Sequence, residues 1–407
     1  MASASPSVIL SYEAAAAAVR SHAEQVSAPD VERVALLDAA GRVLAEPIRA
    51  DRDQPPFPRS TRDGFACRAA ELAQGPLRIA GLLRAGEAWM GGALRTGEAV
   101  EIMTGAAAPE GADCVVMLEH VEVSEGQVRL TAGAPTAGEN IVAAGAEACA
   151  GEVLVPAGRR IGATEMAAAA SCGVSRPAVC ARPRVAILAT GDELVDLSET
   201  PGTHEIRNSN SYSLALQASG AGCIPEIFPV VRDDPEATAE AIAKASRHDL
   251  ILLTGGVSMG KFDFVERALL AQGAEFFFTG ARIQPGKPVV FGKLRTTYFF
   301  GLPGNPISTM VTFALFAAPL LRAMGGETER GPRFVLARLE GDVRVKAGLT
   351  RFLPALVVSD VRGASVQAIS WHGSGDLAAA ARANTFLVVP ETAERLQTGD
   401  VVSVLML

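Results

Sequence analysis

Three apolar runs in the middle of the chain each end in a loop that contains glycine. The segments are RVAILATGDEL from residue 184, DLILLTGGVSMGKFD from 249 and YFFGLPGNP from 298. Glycine lets backbone N–H groups approach an anionic ligand closely, and a helix that follows adds a partial positive charge. The spacing of Gly255, Gly260 and Lys261 resembles a P-loop, but Phe262 offers no hydroxyl for magnesium. A P-loop nucleotide site is therefore not expected.

Carboxylates in the same loops point to a bound cation. Glu193 and Asp263 lie in two of them, and Asp233 precedes a helical segment in VVRDDPE. Carboxylates repel a phosphate unless a cation lies between them, and Mg²⁺ prefers oxygen ligands. Because the loops of parallel strands meet at the carboxyl edge of the sheet, we expect magnesium to bridge these side chains and a phosphate there.

The same acids also have structural interpretations. Asp263 and Glu266 fit a capping box. Glu193 could be merely a first-turn acid that complements a helix dipole. Asp234, which precedes a proline, is predicted to cap the next helix, and this leaves Asp233 available for function.

Two loops are stiffened by prolines on both sides. In PGKP (285–288) the bracketing prolines would present the ammonium of Lys287 at low entropic cost, although a solvated surface lysine is the alternative. In PGNP (303–306) the last proline, Pro306, is predicted to begin a long helix. Ser258 also begins an SxxK pattern, which is common by chance.

The composition excludes several functional classes. The 407 residues are 49% hydrophobic and 20% charged with a net charge of −8, which argues against a general nucleic-acid binder. The six cysteines are scattered, and we expect buried thiols in a reducing compartment. The start MASASPSVIL has no basic segment before an apolar core, and the run FALFAAPLL is too short to span a membrane. We expect a cytoplasmic protein that does not bind membranes.

Four compositional zones predict a multidomain α/β plus β fold. An Ala-rich helix from 11 to about 24, capped by Ser11, precedes a Pro-rich loop and a small antiparallel β module. From Arg184 strands alternate with helices, which indicates a mainly parallel sheet with helices on both faces. From about Gly331 the alternating apolar pattern predicts a compact β-barrel or sandwich.

The loop RSTRDGFA around Asp63 belongs to the β module and not to the sheet. A type I turn would explain Asp63 and Gly64 structurally. A functional Asp63 would have to reach the sheet edge through domain packing or from a second subunit.

Together these segments resemble the MoeA family of molybdopterin molybdenumtransferases and the related E domain of gephyrin. The motifs that carry the resemblance are RSTRDGFA, IMTGAAAPEGAD, GEN, ATGDEL, VVRDDP, LTGGVSMGKFD, PGKP, GLPGNP and HGSGDLAAAARAN, in this order over about 330 residues. The resemblance implies an extended domain in two segments (1–50 and 139–180), a β module (51–138), a three-layer α/β/α molybdopterin-binding domain (181–329) and a C-terminal β-barrel (330–407). It also implies a homodimer in which the β module of one subunit faces the sheet domain of the other.

The activity implied by the resemblance is insertion of molybdate into adenylylated molybdopterin, with cleavage of the adenylyl bond, release of AMP and a requirement for Mg²⁺. The residues that the resemblance implicates fall into three groups: catalytic residues Asp63, Glu193, Asp233 and Asp263; metal ligands Glu193, Asp233 and Asp263; and substrate-binding residues Thr104, Gly255, Gly256, Ser258, Lys287, Pro303, Pro306 and Ser374. The implied partners are a second copy, the molybdopterin adenylyltransferase and molybdoenzyme-maturation proteins.

The chain departs from the family pattern at Gln284, Val142, Ala143, Glu147 and Pro354, and all of these but Glu147 stand where the resemblance implies a lysine or an arginine. Fewer cations should weaken the binding of an oxyanion. A paralogue with a different oxyanion preference, such as tungstate, and a non-catalytic pterin-binding scaffold are therefore alternatives. A dedicated adenylyltransferase is less consistent, because it would have GGTG where this chain has GGVSMGKFD.

Overall fold

The computed structural model describes residues 8–255 and 264–407, and all structural statements refer to these residues. The helices are, in chain order, α1 (Tyr12–Ala23), α2 (Ala69–Leu72), α3 (Ala163–Ser171), α4 (Asn210–Gly220), α5 (Pro235–Ala245), α6 (Phe264–Ala271), α7 (Pro306–Thr312), α8 (Ala318–Met324) and α9 (Leu377–Arg382). The strands are β1 (Ile9–Leu10), β2 (Val31–Arg33), β3 (Ile48–Arg49), β4 (Arg59–Ser60), β5 (Gly64–Cys67), β6 (Leu77–Leu83), β7 (Glu98–Ile102), β8 (Cys114–Met117), β9 (Val121–Ser124), β10 (Gln127–Leu130), β11 (Ile141–Val142), β12 (Val153–Val155), β13 (Ala178–Cys180), β14 (Arg184–Ala189), β15 (Leu194–Val195), β16 (Ile206–Arg207), β17 (Ile224–Ile227), β18 (Leu250–Thr254), β19 (Ala274–Phe278), β20 (Gly280–Ala281), β21 (Ile283–Gln284), β22 (Val290–Leu294), β23 (Thr297–Leu302), β24 (Phe334–Glu340), β25 (Val343–Arg344), β26 (Thr350–Asp360), β27 (Gly363–Ala368), β28 (Thr385–Val389), β29 (Arg395–Leu396) and β30 (Val401–Met406).

The central sheet has the order β17-β14-β18-β23-β22-β19. Its first four strands pair in parallel, and β22 pairs antiparallel with both β23 and β19. Successive side chains point to opposite faces, so Ile187 belongs to one hydrophobic core and Leu188 to the other. Helices cover both faces, and the predicted three-layer α/β/α architecture is confirmed.

The first helix packs against this sheet domain. Ser11 caps α1 as predicted, because its Oγ accepts a hydrogen bond from the backbone N–H of Ala14. Ala15 and Val19 are buried in the same core as Ile187, and β1 pairs in parallel with β20. The contacts of α1 therefore lie with the sheet domain, although the chain then continues into the extended region.

The extended region is built from short strand pairs that join two distant segments. β2 pairs with β13 and β3 pairs with β12. Leu44, Ile48, Val155 and Val179 form its small core.

The β module contains a sheet with the order β8-β5-β7-β6-β10-β9. The expectation of an antiparallel module is wrong for one pair, because β6 and β7 are parallel. The 14 residues between the two strands (84–97) are long enough to cross over and return in the same direction.

The cysteines are all free thiols. Five are buried as expected, but the prediction is wrong for Cys149, which is exposed. Cys149 lies in the glycine-rich segment GAEACAGE, where few apolar neighbours are available to cover it.

The C-terminal region forms a closed barrel, as predicted. Strands pair in the cycle β26-β27-β24-β30-β28-β26, so every strand of the cycle has two neighbours. β21, which precedes the PGKP loop, adds to the barrel in parallel with β26.

A long apolar helix runs from Pro306 to Met324. Five of its residues, Phe313–Ala317, form a π-helical turn between α7 and α8. Pro319 is the second residue after this segment, and the widened turn accommodates a residue that lacks an N–H and crowds the preceding turn. By length and composition this helix could cross a membrane, but 83% of its apolar window is buried inside the protein.

Candidate functional site

The carboxyl ends of β14, β18 and β23 form a polar corner at one edge of the central sheet. Asn210, the first residue of α4, connects two of the three loops. Its Nδ2 donates to Thr254 Oγ1 at 3.0 Å and to the carbonyl oxygen of Gly304 at 2.7 Å. The predicted convergence of the TGG and PGNP loops is therefore present.

Gly255 lies where two strand ends approach each other closely. Its φ is +85°, and a Cβ at this position would lie 2.3 Å from the carbonyl oxygen of Thr190. Only glycine fits here without movement of the backbone. Among the other predicted site residues of this loop, Gly256, Ser258 and Asp263 lie outside the described residues.

The acidic loops after β14 and β17 are neighbours. Thr190 forms a parallel bridge with Val231, and the backbone N–H of Asp233 donates to Asp192 Oδ1 at 3.3 Å. Partial burial raises the pKa of Asp233, and the nearby charges of Asp192 and Glu193 raise it further. Glu193 and Asp233 are thus brought together as predicted. The adjacent Asp234 caps α5, also as predicted, by accepting from the N–H of Ala237 at 2.8 Å.

The acids do not form a complete metal site by themselves. In residues 8–255 and 264–407, no three His, Cys, Asp or Glu side chains are grouped so that they could hold an ion. Glu193 and Asp233 supply oxygen donors on one side of the edge, and the third predicted ligand, Asp263, is not among the described residues.

A cavity of about 340 Å³ lies between the sheet domain and the barrel. It brings together Lys287, Pro303 and Ser374, three of the predicted substrate-binding residues. Asn305 Nδ2 donates to Ser374 Oγ at 2.8 Å, and the N–H of Ile307 donates to the carbonyl oxygen of Ser374 at 3.1 Å. The PGNP loop is therefore attached to the HGSG loop of the barrel, and Pro306 begins α7 directly after it.

Lys287 is exposed at the rim of this cavity. Its ammonium makes no ion pair with any residue that the structure describes. The adjacent Gly286 has a φ of +108°, and a Cβ there would lie 2.5 Å from Cγ2 of Thr312. Close packing of the PGKP loop on α7 thus holds the lysine backbone, while its side chain stays available for an anion.

Asp63 and Thr104 lie together at the surface of the β module. Asp63 Oδ1 accepts from the backbone N–H of Thr104 at 2.6 Å and from its hydroxyl at 2.8 Å. These two hydrogen bonds lower the pKa of Asp63. Gly64 begins β5 directly after Asp63, and a Cβ there would lie 2.0 Å from the carbonyl oxygen of Val116, so glycine allows the close pairing of β5 with β8.

The described hydrogen bonds of the RSTRDG loop remain within the β module and the adjoining segment of the extended region. Arg59, for example, donates to the carboxylate of Glu147 at 2.7 Å.

The sequence had predicted the two halves of the site, but it had not singled out Asn210, Asn305 or Trp371. The signal for the two asparagines was their position at helix starts, and Asn305 in addition follows the central strand β23.

Comparison with known proteins agrees with this architecture. The family models MoeA N-terminal region (domain I and II), probable molybdopterin binding domain and MoeA C-terminal region (domain IV) match residues 10–173, 186–323 and 336–407, respectively. The molybdopterin molybdenumtransferase of Nostoc sp. is 33% identical over 392 residues, which cover 94% of this chain and 90% of the relative. The chain belongs to the MoeA family of molybdopterin molybdenumtransferases. Members of this family are transferases of molybdenum cofactor biosynthesis.

Further relatives of the MoeA family extend the agreement to the whole fold. The molybdopterin molybdenumtransferase of Staphylococcus aureus (strain MSSA476) is 32% identical and covers 94% of this chain and 92% of its own length. The crystal structure of the molybdopterin biosynthesis moeA protein from Pyrococcus horikoshii OT3 matches with a TM-score of 0.81 at 28% identity, covering 98% of this chain and 100% of that chain.

Proposed function

We propose that this MoeA-family transferase inserts molybdate into adenylylated molybdopterin, cleaves the adenylyl bond and releases AMP and molybdenum-loaded molybdopterin. The observation that carries the proposal is that Glu193 and Asp233 lie close together at the edge of the central sheet. Neighbouring loops at this edge contain Gly255 and Lys287. An adenylylated pterin contains an anionic pyrophosphate, which needs N–H donors, cationic side chains and a cation between it and the carboxylates.

The acidic loops suit a magnesium ion by their chemistry. Partial burial raises the pKa of Asp233, the nearby charges of Asp192 and Glu193 raise it further, and a divalent cation would relieve the repulsion on Asp233. Glu193 and Asp233 would hold the ion, together with Asp263. When bound, the ion would neutralise charge between these carboxylates and the phosphate oxygens.

The cavity between sheet domain and barrel suits an oxyanion. Lys287 supplies a positive charge, and Ser374 supplies a hydroxyl. The side chain of Gln284 is exposed beside them and can donate a hydrogen bond but no charge. Among the described residues that line this cavity, Lys287 is the one lysine, and a weaker positive field could change the preference between molybdate and tungstate. This supports the paralogue with a different oxyanion preference as the second candidate.

Asp63 is suited to orient a water molecule or the transferred group. Asp63 is ionised at neutral pH like an ordinary aspartate, and the two hydrogen bonds from Thr104 lower its pKa further and hold Oδ1 in place. Because the described contacts of Asp63 stay within its own module and the adjoining extended region, we propose that it completes the site of a second subunit in a homodimer. We further propose a cytoplasmic location, with the molybdopterin adenylyltransferase as supplier of the substrate and molybdoenzyme-maturation proteins as recipients of the product.

Molybdate-dependent release of AMP tests the proposal. We expect Asp63→Ala and Glu193→Ala to fold normally by circular dichroism but to lose at least about 100-fold in AMP release, because each removes a charge from the reacting site. Removal of Mg²⁺ by chelation should have a similar effect on the unmodified protein. Asp360→Ala, on the exposed β26–β27 turn of the barrel, is the matched control and should retain full turnover.

Unchanged turnover in both site variants would contradict the assignment. AMP release that does not depend on molybdate would contradict the insertase reaction. Binding of the pterin without any AMP release would favour the scaffold alternative.

A further inference from the structure

Thr190 carries a buried hydroxyl without a hydrogen-bond partner. The residue is 3% exposed at the carboxyl end of β14, and its Oγ1 has no partner. The other buried unpartnered side-chain atoms in the described part of the chain are arginine Nε atoms, on Arg42, Arg59 and Arg351. Each of those guanidinium groups makes hydrogen bonds through another nitrogen. Thr190 differs because its only polar side-chain group is unsatisfied.

The neighbouring threonine shows the usual arrangement. Thr254 is 2% exposed at the end of the adjacent strand, and its Oγ1 accepts from Asn210 and lies 3.5 Å from the carbonyl oxygen of Pro303. Leaving a buried hydroxyl unpaired costs free energy, and a hydrophobic side chain of the same shape, such as valine, avoids this cost. Thr190 therefore carries a destabilising group that the fold does not use.

The position of this hydroxyl connects the two parts of the proposed site. Thr190 pairs with Val231 on the side of the acidic loops, and its N–H donates to the carbonyl oxygen of Thr254 on the other side. A Cβ on Gly255 would lie 3.4 Å from Thr190 Oγ1, so the hydroxyl faces the glycine that opens the TGG loop. A phosphate that extends from Gly255 toward Asp233 would pass beside this oxygen.

We propose that Thr190 is a substrate-binding residue whose hydroxyl donates a hydrogen bond to a phosphate oxygen of the adenylylated substrate. This inference rests on the proposed function and adds to it a residue and a contact. The hydroxyl gains a hydrogen-bond partner only when the substrate binds. The new hydrogen bond therefore stabilises the complex and not the free protein.

Thr190→Val and Thr254→Val form a matched pair for the test. Both remove one buried hydroxyl and retain the shape of the side chain. We expect Thr190→Val to keep or slightly raise Tm, whereas Thr254→Val should lower Tm by about 3–6 °C because it leaves Asn210 with one partner fewer. Thr190→Val should raise the KM for the adenylylated substrate and the Kd for AMP by about 10- to 100-fold, the range for a hydrogen bond to a charged group. Thr190→Ser should restore binding.

Two results would overturn the inference. One is a fall in Tm for Thr190→Val as large as that for Thr254→Val, which would mean that the hydroxyl has a structural partner such as an ordered water. The other is an unchanged KM and an unchanged Kd for AMP. The unmodified protein separates this inference from the proposed function: if it releases AMP and Thr190→Val equals it, only the inference fails. If the unmodified protein releases no AMP and does not bind it, both fail.

Discussion

Hydrogen bonds from Thr104 further favour the ionised form of Asp63, which already prevails for an aspartate at neutral pH. Two donors from one residue, Thr104, converge on a single carboxylate oxygen. Hydrogen bonds to the charged form of an acid favour that form, so the pKa of Asp63 lies below its ordinary value. Asp63 is therefore better suited to position a group than to donate a proton at neutral pH.

At the residue scale, replacement of Thr104 should change the pH dependence of the reaction. Thr104→Val removes the hydroxyl and keeps the backbone donor, so the pKa of Asp63 should rise toward its ordinary value. Because the ionised form is needed, we expect the acidic limb of the profile of kcat/KM against pH to move to higher pH. Thr104→Ser is the control and should retain the original profile. An identical profile for Thr104→Val would show that this hydroxyl does not tune Asp63.

Individual site residues were predictable where a local pattern fixed them. Asp234 before Pro235 specified a helix cap, and PGNP specified the start of α7. The unpaired hydroxyl of Thr190 was not predictable, because a missing partner is a property of the packed sheet edge and has no local pattern. The pairing of Arg59 with Glu147 likewise depends on residues that are 88 positions apart.

Between the elements, a buried ion pair fixes the extended region to the sheet domain. Arg160 Nη2 donates to Glu327 Oε2 at 2.6 Å and to the carbonyl oxygen of Ala221 at 3.0 Å. The side chain of Glu327 is 7% exposed. Gly222 makes room for the arginine, since a Cβ there would lie 2.8 Å from Arg160 Nη1.

At the element scale, Glu327→Gln should therefore destabilise the protein substantially. The substitution leaves the partly buried guanidinium of Arg160 without its acid, and we expect a loss of about 3 kcal/mol in the free energy of unfolding. Glu329→Gln is the matched control, because its partner Arg159 is half exposed and such pairs contribute less than about 1 kcal/mol. Urea unfolding measures both. Equal losses in the two variants would contradict a special role for the buried pair.

The elements themselves were more predictable than their contacts. Apolar runs that end in glycine specified β14, β18 and β23, because a parallel strand buried on both faces needs a continuous apolar segment. The parallel pairing of β6 with β7 depends on how residues 84–97 cross the module, which alternation in the sequence does not encode.

On the scale of the whole molecule, one core joins regions that are far apart in sequence. Tyr12 of the first helix packs edge-on against Phe352 of the barrel, with 5.8 Å between ring centroids. Phe386 and Leu405 of the barrel are buried in the same cluster as the sheet strands. The barrel and the sheet domain are therefore held rigidly enough to form the cavity around Lys287.

A dimer with shared sites predicts complementation between inactive subunits. Asp63→Ala and Glu193→Ala should each inactivate both sites of a homodimer. A mixed dimer, with one subunit of each variant, has one site in which both residues are intact. After equal amounts are mixed and allowed to exchange, we expect about a quarter of the unmodified turnover, since half of the dimers are mixed. A double variant mixed with unmodified protein is the control for subunit exchange. No recovery after proven exchange would place Asp63 and Glu193 in the site of one subunit.

The shared core also constrains how the chain matures during synthesis. Ala15 leaves the ribosome 390 residues before Leu405, yet both are buried in one cluster. Until β30 emerges, the nascent sheet domain lacks part of its apolar covering, and premature termination within the barrel would leave that surface open to aggregation.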